Sequence, residues 1–167
     1  MAIYNSALTE ETILAHYASI YGNNTAPEFI TCCHEESSVA LAHGYFKVEG
    51  KPLAVLCHGT VGLQHASMAI YNAWCDRVPL MVLLGNTLDV TQRRPGAEWQ
   101  HSVQDCASMV RDFTKWDDYP WSLQSFAEST VRAYALSVAQ PQGPVLITAD
   151  GKLLARLGDI VGNAAAG

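Results

Sequence analysis

A doubly wound, mostly parallel open α/β sheet with helices on both faces is the fold this sequence predicts. Three observations carry the prediction. Short apolar runs recur at Phe29–Cys33, Pro52–Cys57, Pro79–Gly85 and Pro144–Ala149, as expected of strands buried on both faces. Stretches of helical length and periodicity stand between them. The resulting alternation calls for parallel strands joined by right-handed crossovers.

Element by element, Ala2–Asn5 is a candidate first strand. Thr9 is placed to cap a helix whose first turn carries Glu10 and Glu11, favourable at the positive end of the helix dipole. Ile13, Leu14, Tyr17, Ile20 and Tyr21 repeat at helical spacing, and Gly22 can end that helix. Phe29–Cys33 is the second strand, followed by a helix over Glu36–Val48 that stops near Gly50. Pro52–Cys57 is a strand, His58–Gly62 a glycine-rich turn, and Gly62–Cys75 a helix. After the strand Pro79–Gly85, the polar segment Thr87–Gln100 reads as an exposed loop. His101–Val110 is expected to be a short helix and Phe113–Trp116 a strand. Ser122–Ala139 shows the clearest helical pattern, with Leu123, Phe126, Ala127, Thr130, Val131, Tyr134, Ala135 and Val138 on one stripe. Pro141–Gly143 breaks the chain before the last strand. One domain over residues 1–150 and a small-residue-rich tail or linker over 151–167 complete the reading.

Composition narrows the function classes. The 167 residues suffice for one domain with a core, and 49% apolar content argues against disorder. A net charge of −6 without any basic run argues against nucleic acid or an acidic membrane as partner. Neither a signal peptide nor an apolar run of membrane-spanning length is evident, so a cytoplasmic protein is expected. The five cysteines are odd in number and form no Cys-x-x-Cys, which fits free thiols. Cys32, Cys33 and His34 have the wrong spacing for a closed zinc site, and no metal ligands are assigned.

Open sheets of this kind hold ligands beyond the carboxyl ends of their strands, which points to the segments after Cys33, Cys57 and Gly85. The first of these is His34-Glu35-Glu36, where a carboxylate either caps the following helix or reaches the crevice. The second is His58-Gly59-Thr60-Val61-Gly62, whose glycines let backbone approach a flat ring closely or simply make a tight turn. His34 and His58 would both face the crevice, where either could move a proton on a substrate. Trp99, in the polar loop, is the best-placed aromatic for a subunit contact.

A longer pattern joins these segments. His34-Glu35, Gly44-Tyr45, Gly50-Lys51, Gly59–Gly62, Asp76-Arg77-Val78-Pro79 and Gly85-Asn86 occur in order. Gln104-Asp105, Thr114-Lys115 and Gly143-Pro144-Val145-Leu146-Ile147 continue it. This set resembles the pyrimidine-binding domain of thiamine diphosphate-dependent enzymes of the acetolactate synthase and 2-oxo acid decarboxylase type. The resemblance covers roughly Phe29 to Asp150. It implies the thiamine diphosphate-binding fold. It also implies that Glu35 hydrogen-bonds N1′ of the aminopyrimidine, favouring the tautomer that takes the thiazolium C2 proton. Chemically, a carboxyl group in an apolar crevice suits proton sharing with a ring nitrogen. Gly59, Thr60, Val61, Gly62 and His65 would line the pyrimidine, while His34, His58 and Gln104 would serve the substrate. Val61 stands where relatives commonly have Pro, and His65 where they have Asn, so these two contacts depart from the family pattern.

The same resemblance exposes a missing half. The family's Gly-Asp-Gly…Asn-Asn motif, which holds the diphosphate through Mg²⁺, does not occur here. The implied protein is therefore a pyrimidine-binding subunit or fragment that depends on a diphosphate-binding partner chain carrying the Mg²⁺. A hetero-oligomer containing paired copies of this chain is expected. The implied chemistry is decarboxylation or carboligation of a small 2-oxo acid. Two alternatives belong to other classes: a non-catalytic regulatory or binding module that keeps the fold without cofactor, and a flavodoxin-like domain with an unrelated ligand.

Overall fold

The computed structural model describes residues 30–86 and 96–156. Apart from Ile30 and Arg156 these residues belong to one compact unit, Thr31–Ala155. The expected strand Ala2–Asn5, the helix capped by Thr9, most of the loop Thr87–Gln100 and the end of the tail lie outside the described residues.

Helix α1 (Glu35–Glu49) begins where the His34 imidazole accepts the backbone N–H of Glu36, with Glu35 and Glu36 in its first turn and Lys47 in its last. It stops because Gly50 adopts φ 68° and turns its N–H back to Phe46 O. Strand β1 (Ala54–Cys57) leads into α2 (Gly59–Cys75), and β2 (Met81–Asn86) follows. Short 3-10 turns precede β3 (Asp117–Asp118), α3 (Leu123–Val138) and β4 (Val145–Asp150). Ser122 and Ser125 form a reciprocal cap at the start of α3.

The four strands lie in the order β1-β2-β4-β3, and every pairing is parallel. β2 and β4 form the centre, in register from Met81↔Val145 to Asn86↔Asp150, and β4 is buried along its whole length. Alternation along these strands feeds two separate cores. Val82, Leu84 and Leu146 join Val39, Ala42, Leu63, Ala66 and Ile70 of α1 and α2 on one face. Met81, Val145 and Ile147 join Ala133, with Phe126, Leu136 and Trp116 packed beside them, on the other. Apolar side chains on both faces are what the continuous apolar runs predicted, and the fold class stands.

Several local expectations give way. Residues 30–33 form no strand, and Ile30, Thr31 and Cys33 are exposed. A strand persists only where its backbone groups find a ladder, and the outer edge of β1 is unpaired among the described residues. The helix expected over His101–Val110 is reduced to a single 3-10 turn, Ala107–Met109. The strand expected at Phe113–Trp116 forms just beyond it, at Asp117–Asp118, and Thr114 is extended on the way in. There Trp116 O receives Leu146 N–H, and Asp117 pairs with Leu146.

Only part of the stripe expected to bury α3 does so: Phe126 packs on the sheet, while Ala127, Val131, Tyr134 and Ala135 face out. Ser129, Ala133 and Ser137 are buried, while Val131 and Tyr134 are 72% and 52% exposed. Small side chains let this helix lie close on the sheet. The hydroxyls cost little there because each is bonded locally: Ser137 to Tyr134 O, and Ser129 to the Asp118 carboxylate. Lys115 locks the far end of α3 by donating to Leu136 O and Ala139 O, the carbonyls that the helix terminus leaves unmatched.

Beyond β4, residues 151–156 are helical. The Asp150 carboxylate accepts Leu153 N–H as their cap, and Leu153 is buried. Among the described residues no helix is long and apolar enough to cross a membrane.

Candidate active site

The carboxyl ends of β1 and β2 open onto the start of α2 and onto the segment after Gln100. Asn86, the last residue of β2, is fully buried and anchors that segment. Its side-chain oxygen accepts the Ser102 hydroxyl at 2.7 Å, and its amide donates to Val103 O at 3.1 Å. A buried amide satisfied on both sides fixes position firmly, because breaking either bond strands a polar atom in the core.

Glu35 leaves its own helix terminus uncapped by its side chain, since the His34 ring already holds that place. Its carboxylate lies instead against α2 at Gly62. A Cβ added to Gly62 would stand 2.7 Å from Glu35 Oε1 and 3.2 Å from Cδ and Cγ. The same carboxylate acts on Cys57, the last residue of β1. Burial above all, and with it the negative charge of Glu35, together push the Cys57 thiol up to about 12. Glu35 is therefore over the carboxyl end of β1, half-buried, beside a helix surface kept bare by glycine.

Two pairs of imidazoles flank this point. His34 Nε2 and His65 Nδ1 are 3.2 Å apart, with the rings edge-on. His58 Nε2 and His101 Nδ1 are 3.0 Å apart in a similar edge-on arrangement. His34, Glu35, Gly62 and His65 thus come together on one side, and His58, Gly59, Thr60 and His101 on the other. Val61 is half-buried between them in sequence, and Gln104 is exposed three residues beyond His101.

The glycine-rich turn expected at His58–Gly62 is the first turn of α2 itself. Gly59, at φ 44°, has no room for a side chain: a Cβ would be 3.0 Å from His101 O. That carbonyl accepts both the backbone N–H of Thr60, at 3.2 Å, and its hydroxyl, at 2.9 Å. The Thr60 hydroxyl consequently serves the protein's own backbone.

His101 is the residue that sequence reasoning missed. It holds φ 58°, a conformation that L side chains seldom adopt, and the two bonds from Thr60 hold it there. No local motif marks it. The polar loop and the short helix expected around it hide both the strain and the partner, His58.

Among the described residues no group of three or more His, Cys, Asp or Glu could hold a metal ion. The arrangement offers one carboxylate and four imidazoles at the mouth of a parallel sheet, suited to hydrogen-bonding a planar heterocycle and moving protons.

The chain as a whole is similar to known proteins. The family described as thiamine pyrophosphate enzyme, N-terminal TPP binding domain, matches residues 6–109. The chain belongs to this family. It is 24% identical over 120 residues to benzoylformate decarboxylase of Pseudomonas aeruginosa, a match covering 72% of this chain and 22% of that protein. It is 26% identical over 135 residues to the mitochondrial acetolactate synthase catalytic subunit of Saccharomyces cerevisiae, covering 81% of this chain and 19% of the relative. The chain thus spans about a fifth of the length of these relatives. The structure of benzoylformate decarboxylase from Polynucleobacter necessarius superposes with a TM-score of 0.68 at 23% identity, over 81% of this chain and 25% of that one, and confirms the fold.

Two outcomes test the geometry. Glu35→Gln should lower the pH at which Cys57 becomes alkylated, followed by mass spectrometry, because the charge opposing its ionisation is gone. The fall should be partial, since burial is the larger cause; an unchanged midpoint would remove Glu35 from this position. Gly62→Ala should fold normally and melt no lower than the native chain, because alanine favours a helix over glycine by roughly 0.5–1 kcal/mol. Only a flexible carboxylate must give way, so the Cys57 midpoint should fall as in Glu35→Gln.

Proposed function

We propose that this chain is the pyrimidine-binding part of a thiamine diphosphate-dependent enzyme that decarboxylates or carboligates 2-oxo acids. The single observation that carries the proposal is the Glu35 carboxylate, released from helix capping and resting on Gly62 at the carboxyl edge of the sheet. The family supplies the cofactor class, and the activities of the relatives supply the substrate class.

The residues present fit the aminopyrimidine end of the cofactor. An acid with no cap bond of its own stands beside a helix surface bare of side chain at Gly62. Glu35 would hold the ring by hydrogen bond at N1′, with Gly59, Val61, Gly62 and His65 as neighbours and Thr60 bracing Gly59 through His101. When bound, thiamine diphosphate supplies the electron sink for the bond changes at the substrate's carbonyl carbon. This chain's residues orient and exchange protons: Glu35 with the ring and His58 with the substrate, while His34 is bonded at both ring nitrogens and stands behind His65, and Gln104 lies nearby in sequence on the exposed rim.

The diphosphate and its Mg²⁺ require a second half, because the sequence holds no Gly-Asp-Gly…Asn-Asn motif. We assign that role to a diphosphate-binding region carried by a partner chain or by a longer form of this one, in an assembly with paired copies of this chain. Trp99, 90% exposed, is a candidate contact. Five free cysteines fit a cytoplasmic location.

The test is reconstitution. Isothermal calorimetry should show thiamine diphosphate binding to this chain only when a diphosphate-binding chain and Mg²⁺ are added. In that complex Glu35→Gln should slow exchange of the thiazolium C2 proton by orders of magnitude. Tight binding to this chain alone would overturn the split site, and unchanged exchange would overturn the role of Glu35.

A further inference from the structure

The His34–His65 pair has a direction that its distance alone does not reveal. The backbone N–H of Glu36 donates to His34 Nδ1 at 3.2 Å. A ring nitrogen that accepts a hydrogen bond carries no proton, so a neutral His34 bears its proton on Nε2. That Nε2 faces His65 Nδ1 at 3.2 Å and must be the donor between them. His65 Nδ1 therefore accepts, and a neutral His65 bears its own proton on Nε2. One amide at the start of α1 thus sets two tautomers in series.

We propose that His34 is a positioning residue which locks His65 as an Nε2–H donor, and that His65 offers this N–H to a carboxylate or carbonyl oxygen of the 2-oxo acid. The oxygen-acceptor part rests on the function proposed above; the tautomer lock does not. His65 is three residues after Gly62 on α2, so the two share one face of the helix, the face against which Glu35 rests. A donor of set polarity there stands on the helix face that carries the acid. His34 itself is committed at both nitrogens, to the helix cap and to His65, and it acts through its neighbour. An unlocked His65 would divide between two tautomers, and only one of them could present a donor at Nε2.

Two measurements test this, one on each part. Two-bond ¹H–¹⁵N correlation spectra of the labelled chain, at about pH 8 and above the ordinary imidazole range, read each tautomer directly. His34 and His65 should both show protonated Nε2 and bare Nδ1. His34→Asn preserves an acceptor for the helix cap but removes the ring, so the His65 signals should shift to a tautomer mixture. A native His65 protonated on Nδ1, or His65 signals unmoved in His34→Asn, would overturn the lock. The second measurement uses the reconstituted complex and a 2-oxo acid. His34→Asn should raise KM about tenfold, the scale of one lost hydrogen bond, with little change in kcat. His65→Asn provides amide N–H donors that need no tautomer, so His34→Asn should add no further rise in that background. An equal penalty in both backgrounds would overturn the acceptor role. Absence of any turnover would count against the proposed function and leave the spectra to decide the lock.

Discussion

The packing of the Glu35 carboxylate on Gly62 is the contact on which the site's organisation depends. It needs two conditions at once. The acid must be free of its helix terminus, and the neighbouring helix must offer no side chain at that point. His34 meets the first by taking the cap through Nδ1. Glycine meets the second at a helix position where alanine would give a more stable helix. The sequence here sacrifices local helix propensity, as is common where a structure must bring a reactive group close to backbone.

The sheet sets the stage for that contact. β2 and β4 are buried at the centre, and their parallel register brings Asn86 and Asp150 to the same carboxyl edge. Each of these polar residues is spent on the chain that follows. Asn86 ties down the segment carrying His101, and Asp150 caps the helical residues after β4. The edge where β1 ends is thereby left with Glu35 and the histidine pairs. In β1 the thiol of Cys57 registers the acid's charge from below. Fold and site are linked through buried polar anchors at strand ends rather than through the apolar core alone.

Much of this was legible in the residues. Continuous apolar runs announced strands buried on both faces, and Gly50 announced the end of α1. The start of a helix at His34-Glu35 was recognisable too, although the strand expected before it is absent among the described residues. What was not legible shares one cause: it depends on contacts distant in sequence. The α3 stripe of Val131 and Tyr134 looked like a core face, but close approach to the sheet selects Ser129, Ala133 and Ser137. Apolar periodicity alone carries no information about how near two elements come. His101 combines its unusual backbone with bonds to its carbonyl from Thr60, 41 residues earlier. The assignment of the helix cap to an imidazole, rather than to Glu35 or Glu36, likewise required coordinates.

The central claim is that Glu35 meets the edge nitrogen of a bound aminopyrimidine from the rim of the sheet. A crystal structure of this chain in its thiamine diphosphate- and Mg²⁺-loaded assembly measures it directly. The account predicts one Glu35 carboxylate oxygen within hydrogen-bond reach of N1′, roughly 2.6–3.2 Å, with Gly62 still beneath the side chain. A pyrimidine bound elsewhere, or a Glu35 turned away from N1′ while the cofactor is in place, would contradict it.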